Sequence, residues 1–144
     1  MLTPSGKNVF TRTPIYPGSH FTWGEATADC SRLLEDLVIN GRIIVSAAQI
    51  EKNIVLTAMA LDLVRERFGN RPIHINSWYR PPSINKSVGG KQYSRHQFGD
   101  AVDLRSDYYS PRQIFKLLEA DHNGGFHAYH AFCHIDWRGE RARW

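Results

Sequence analysis

Between Ser46 and Gly69 the apolar residues Ile50, Ile54, Ala58, Leu61 and Phe68 recur every three or four positions, with residue 64 or 65 completing the row. That period lines one face of a helix and predicts a core helix over residues 47–68. Its ends carry matching chemistry. Ser46 suits the N-cap, Arg65 and Arg67 sit in the last turn where cations complement the dipole, and Gly69 can take the left-handed turn that follows. Elsewhere the period falls to two. Ile73 to Trp78 alternates apolar with mostly polar side chains and predicts a strand ending before Pro81-Pro82. A loop then runs through Val88-Gly89-Gly90-Lys91, and Ala101-Val102-Asp103-Leu104 predicts a second short strand. Ser110-Pro111 opens another helix, buried through Ile114, Leu117 and Leu118 and ended by Asn123-Gly124-Gly125. Two last strands are expected, about 125–128 and 132–137, with a turn near Tyr129 and His130 between them. Thr22 followed by Glu25 has the form of a capping box for one more short helix.

The order helix, strand, strand, helix, two strands predicts an α+β domain, with helices packed on one face of a small antiparallel sheet. Residues 1–20 hold Pro4, Pro14, Pro17, Gly6 and Gly18 among polar neighbours and predict an extended arm or linker, with the domain proper over 21–144. A chain of 144 residues, 42% hydrophobic, is sized for one core. No internal repeat is visible.

A net charge of +4 favours an anionic partner but is too weak to predict nucleic-acid binding. Cys30 and Cys133 lie about a hundred positions apart and form no disulfide framework. The N-terminus has no apolar signal-peptide segment, and no uncharged apolar run is long enough to span a bilayer.

Two clusters carry candidate chemistry, Ser94-Arg95-His96 through Asp103 and Phe132-Cys133-His134-Ile135-Asp136. On a strand over 101–104, Asp103 shares a face with Ala101 while Val102 and Leu104 point to the core. By the same alternation His134 and Asp136 lie together, roughly 6 to 7 Å apart along the last strand. Cys133 then points away and reads as a small buried thiol. Gly99 lets the backbone return His96 toward Asp103. Two imidazoles and a carboxylate form the donor set of zinc sites that keep one position open for water, so hydrolysis is the first expectation. Trp23, Trp78, Tyr79 and Tyr93 are assigned to packing, His20, His74, His122 and His127 to structural or exposed positions, and Trp144 to docking on the domain.

The pattern Ser94-x-His96-x-x-Gly99-x-Ala101-x-Asp103 with His134-x-Asp136 resembles the zinc D-Ala-D-Ala carboxypeptidase family, which includes peptidoglycan-trimming enzymes and phage endolysins. Phe21 to Glu25, Asn76 to Arg80, Val88-Gly89-Gly90 and the segment from Arg138 to Trp144 extend the similarity over about residues 20–144. The resemblance implies one zinc ion per chain, held by His96, Asp103 and His134. It implies that Arg80 grips a substrate carboxylate or polarises the scissile carbonyl, with Ser94 helping to bind the same group. Better-known branches carry an acid three positions before the last ligand histidine, where this chain has Ala131. The general base is therefore assigned first to Asp136 and second to His130, with Asp136 alternatively orienting a ligand imidazole.

The resulting expectation is a monomeric zinc peptidase cleaving an amide bond in bacterial peptidoglycan stem peptides, as carboxypeptidase or endopeptidase. Such a protein works on the cell wall, as a phage endolysin or after export by a route other than a signal peptide in this chain. Zinc is preferred over manganese or cobalt from the resemblance, since nitrogen and oxygen donors accept several divalent ions. The rival expectation is a noncatalytic, zinc-stabilised wall-binding module, because the hedgehog signalling domains resemble the same family.

Overall fold

The longest element sets the frame. In the computed structural model, which describes residues 1–144, helix α2 runs Ala47–Arg67 and buries Ile50, Ile54, Ala58 and Leu61 completely. Ser46 accepts the Gln49 N–H at 3.1 Å as its N-cap, and Gly69 follows the helix at φ +68°. Upstream lie the one-turn helix α1 (Trp23–Ala26) and the hairpin β1 (Leu37–Ile39) and β2 (Arg42–Val45). The α1 turn is closed by the expected capping box, Thr22 with Glu25. Residues 1–20 contain turns and isolated bridges but no helix or strand. They are laid along α2 instead. Buried Glu51 accepts from the Ser5 backbone at 2.9 Å and its hydroxyl at 2.6 Å, Asp62 accepts from Tyr16 and Ser19, and Val9 and Ile15 join the core.

After α2 come β3 (His74–Ser77), α3 (Pro82–Ser87), a single 3-10 turn (Arg95–Phe98), β4 (Ala101–Arg105), α4 (Pro111–Leu118), β5 (Gly125–Ala128), β6 (Cys133–Asp136) and β7 (Ala142–Arg143). The five long-range strands form one sheet in the order β3-β4-β6-β5-β7. The expected sheet was antiparallel throughout, and three of its four pairings are. The fourth, β5 with β7, is parallel, because the chain loops back after β6 and lays Ala142 beside Gly125. Val102, Leu104, Cys133 and Ile135 point to one face and share a single core with Ile50, Ile54, Ala58 and Leu61 of α2 and Ile114 and Leu118 of α4. The architecture is α+β, with both long helices on that face. The opposite face of β4 and β6 is left to polar side chains.

Gly99 ties the two faces together. Its φ of +78° turns the chain out of the 3-10 turn and into β4, and its carbonyl accepts the buried Trp78 indole N–H at 2.9 Å. A Cβ at this position would lie 3.0 Å from Ile54 Cγ1 and 3.1 Å from Ile50 Cγ2 on α2. Gly99→Ala therefore combines left-handed strain with overpacking, and a loss of about 1–3 kcal/mol is expected. Thermal unfolding followed by circular dichroism should show the midpoint falling by several degrees, and an unchanged midpoint would refute the argument.

Candidate metal centre

Strand pairing assembles the site. β4 and β6 are in register with Asp103 opposite His134 and Ala101 opposite Asp136, so alternation carries all the polar side chains to the face away from the helices. His96 arrives from the 3-10 turn, whose backbone is pinned by the Arg80 N–H to the His96 carbonyl at 3.1 Å. His96 Nε2 lies 3.2 Å and His134 Nδ1 3.0 Å from the same oxygen, Asp103 Oδ1. One donor atom from each of the three residues falls within 4.8 Å of the others, which is the expected ligand set gathered at one point.

The remaining ring nitrogens show what that point is built to hold. His96 Nδ1 faces the Trp78 carbonyl at 2.7 Å, and His134 Nε2 faces the Asp136 carboxylate at 2.9 Å. Carbonyls and carboxylates only accept, so each outward nitrogen carries the proton. A neutral ring then aims its lone pair at Asp103. Three lone-pair donors facing one another at this range repel unless a cation lies among them, either added protons on both rings or one metal ion. Ring N–H groups anchored on a carbonyl and a carboxylate are also the outer supports typical of metal-bound histidines. The residues present therefore fit a divalent ion.

The electrostatics follow from the same contacts. Burial raises the Asp103 pKa, but hydrogen bonds from His134 and His96 and their charge outweigh it and hold the carboxyl far below its ordinary range. Burial lowers the His134 pKa, and here hydrogen bonds to Asp103 and Asp136 outweigh it, so the pKa is raised. Cys133, on the far face, donates to the Pro111 carbonyl, and burial pushes its thiol up to about 12, so it is no ligand.

Arg80 and Ser94 both border the groove over this centre, a cleft of about 450 Å³ that also takes in Lys91, Tyr93, Arg138 and Trp144. Arg80 spends Nε on Ser77 Oγ and Nη2 on Asp103 Oδ2, each at 3.0 Å. The Ser94 hydroxyl makes no protein hydrogen bond, while its backbone closes the turn from Lys91. Helix α3, unexpected from the sequence, braces this wall through Asn85, whose carbonyl takes the Gly90 N–H at 2.8 Å and whose amide donates to the Lys91 carbonyl at 2.9 Å.

The two residues considered as general base stand differently. Asp136 is completely buried, and both its oxygens are engaged: Oδ1 by the Gly125 N–H at 2.9 Å and Arg138 Nε at 2.8 Å, Oδ2 by His134 and Arg138 Nη2. Despite its burial, those hydrogen bonds drive its pKa far below the ordinary carboxylate value. A carboxylate so held is a poor proton acceptor, and its geometry is that of a group orienting His134. His130 is exposed and lines a neighbouring depression with Arg112 and Phe115, outside the groove. Apart from Asp103, no carboxylate lines the groove.

Sequence reasoning missed Arg138 and the wall formed by Tyr129, Phe132 and Trp144. Trp144 does dock, as expected, but at the site itself. Its indole stacks on His127 at 5.6 Å, lies 5.4 Å from the His134 ring, and donates to the Tyr129 hydroxyl at 3.2 Å. Trp23, Trp78 and Tyr79 are core residues, whereas Tyr93 is exposed on the groove rim.

Comparison with known proteins agrees with this geometry. The family model for peptidase M15 matches residues 20–136, a span that contains all three clustered side chains. The zinc D-Ala-D-Ala carboxypeptidase of Streptomyces albus G is 35% identical over 82 residues, which are 57% of this chain and 31% of that protein. The match thus spans about a third of the relative's length. With more than half of its residues inside the family match, the chain belongs to the peptidase M15 family.

Proposed function

We propose that this protein is a zinc peptidase hydrolysing an amide bond in the stem peptides of bacterial peptidoglycan, and that it acts at the cell wall, as a phage endolysin or after export. The observation that carries the reading is the convergence of His96, Asp103 and His134, with both histidines anchored through their outer nitrogens. The name of the Streptomyces albus G relative supports zinc and a D-Ala-D-Ala substrate class. No helix of the chain is long and apolar enough to cross a membrane.

When bound, zinc would polarise the scissile carbonyl and lower the pKa of a bound water. The chain's own residues do the rest. Asp103 and the two imidazoles form the ligand set, and Asp136 fixes the tautomer of His134. Arg80 is held by two hydrogen bonds with Nη1 left unpaired, ready to receive a substrate carbonyl or terminal carboxylate oxygen. Ser94 offers a hydroxyl on the same wall. A grip on a terminal carboxylate makes the enzyme a carboxypeptidase, and a grip on a carbonyl within a crosslink makes it an endopeptidase.

The absence of a second carboxylate in the groove, with Ala131 where other branches carry an acid, favours one alternative, a zinc-stabilised wall-binding module. Digestion of purified peptidoglycan and stem peptides read by mass spectrometry separates the two. Zinc-dependent loss of a residue or of a crosslink supports the peptidase, and intact muropeptides on a protein that still binds walls support the module.

Zinc analysis should find one ion per chain, and removal with EDTA should lower the thermal midpoint until zinc is restored, since a ligand at 1,000 times its Kd stabilises by about 4 kcal/mol. His134 in the metal-free protein is protonated more readily than a free histidine, and zinc must displace that proton. Apparent affinity should therefore weaken as pH falls, starting above the ordinary histidine range because the His134 pKa is raised, measured by competition with a chromophoric chelator. Asp136→Asn should weaken zinc binding by about 10–100-fold while the fold persists. An unaltered affinity in that variant would remove Asp136 from its orienting role. Arg80→Lys should lower kcat/KM by about 10–100-fold at unchanged zinc content, because the ammonium cannot hold Ser77, Asp103 and substrate together.

A further inference from the structure

The guanidinium of Arg138 is half committed. Its Nε and Nη2 form a fork on Asp136, at 2.8 and 2.6 Å, and this edge sets a full positive charge against the buried carboxylate that His134 and the Gly125 N–H also hold. Nη1 makes no hydrogen bond with the protein, and it is not among the buried side-chain atoms without a partner, so solvent reaches it. The side chain borders the same groove as Arg80 and His134. It is also held from above, with its central carbon 5.7 Å from the Trp144 ring.

Arg80 is in the same condition on the other flank. Its Nε and Nη2 are spent on Ser77 and Asp103, and Nη1 is unpaired. The two guanidiniums thus bracket the relay Asp103–His134–Asp136, each anchored by one edge and open at the other. Lys91 adds positive charge to the walls, Arg95 is paired with the buried Asp100, and Asp103 is the sole acidic side chain lining the groove. A bound divalent ion would make the interior more cationic still. An arginine already fixed by two bonds loses little further side-chain freedom when it takes a ligand, which is the condition for an efficient carboxylate grip.

We propose that Arg138 is a second substrate-binding arginine, and that the preferred substrate is a peptide carrying carboxylates on both sides of the scissile amide, one for Arg80 and one for Arg138. This rests on the peptidase reading above and specifies its substrate. A stem peptide with a free internal carboxylate fits, and one with that group amidated fits poorly. If Arg138 only neutralised Asp136, substrate charge would be indifferent to it.

The test uses the zinc-loaded full chain and three synthetic stem pentapeptides: one with all carboxylates free, one amidated at the internal carboxylate, and one amidated at the C-terminus. Dissociation constants are measured by calorimetry, and mass spectrometry of the recovered peptide reports cleavage; where cleavage occurs, the same ratios are read from kcat/KM. Wild type should favour the free acid over the internal amide by about 10–100-fold, the range for a charge-assisted hydrogen-bonded pair. Arg138→Gln should abolish that preference while leaving the penalty for C-terminal amidation. Since the glutamine variant leaves Asp136 uncompensated, Arg138→Lys is measured beside it, with zinc content and thermal midpoint as controls. The lysine keeps the charge for Asp136 but has no second edge, so it too should lose most of the internal-carboxylate preference. The proposal is overturned if wild type binds acid and internal amide equally, if it binds none of the peptides, or if a zinc-loaded Arg138→Lys retains the full preference. Arg138-dependent binding of a peptide that is never cleaved would uphold this inference and sink the peptidase reading. Cleavage indifferent to Arg138 and to internal amidation would do the reverse.

Discussion

The antiparallel pairing of β4 with β6, in the one register that sets Asp103 across from His134, is the constraint on which the site depends. A slip of β6 by one residue along β4 would turn His134 into the core and bring Ile135 to the groove, leaving Asp103 without its partner. That shift is forbidden by the other face. Val102, Leu104, Cys133 and Ile135 are fully or almost fully buried against α2 and α4, and exposing them would forfeit about 1.5–3 kcal/mol per large side chain. The hydrophobic core thereby fixes the positions of charged side chains that, by themselves, favour no register at all.

On the polar face those side chains form a line of alternating charge. Arg80, Asp103, His134, Asp136 and Arg138 each touch the next at hydrogen-bonding distance. Burying so many ionisable groups is costly, and the line is sustained because none of its buried side-chain polar atoms lacks a partner, the unpaired Nη1 groups of Arg80 and Arg138 facing solvent. The arrangement is set by the pairing of β4 with β6.

Much of this was legible in the sequence, and the reasons differ by element. Helix α2 announced itself through its period and its caps, and strands β4 and β6 through alternation, which also set Asp103, His134 and Asp136 on the correct face and Cys133 on the other. The hairpin β1–β2 has its sequence signal in Asn40 and Gly41, which at φ +51° and +75° are the residue pair that a two-residue turn requires, but its strands are too short to show a period. Helix α3 lies in a stretch that reads as loop, since six residues opening on Pro82 carry no periodic signal. Residues 1–20 have the composition of a linker, and distant contacts, the carboxylates of Glu51 and Asp62 and the core packing of Val9 and Ile15, hold them down. Arg138 and Trp144 escaped for a related cause: their positions come from Asp136, His127 and Tyr129, contacts that no local pattern encodes.

The role of Asp136 shows where sequence reasoning reaches its limit. Strand alternation placed the carboxylate beside His134, which is equally consistent with a proton acceptor and with an anchor for the imidazole. The difference lies in what else touches it. A base needs a free, hydrated lone pair and a pKa near the working pH, whereas Asp136 is sealed from solvent and takes five hydrogen bonds from three residues, Gly125, His134 and Arg138. Its charge is thus locked in the ionised form, and a permanently ionised acceptor is what a ligand histidine needs to keep its outer nitrogen protonated and its inner lone pair facing the metal. The same lock fixes one edge of Arg138 and turns the other to the groove, so a single buried carboxylate serves the proposed ligand set on one side and the proposed substrate contact on the other.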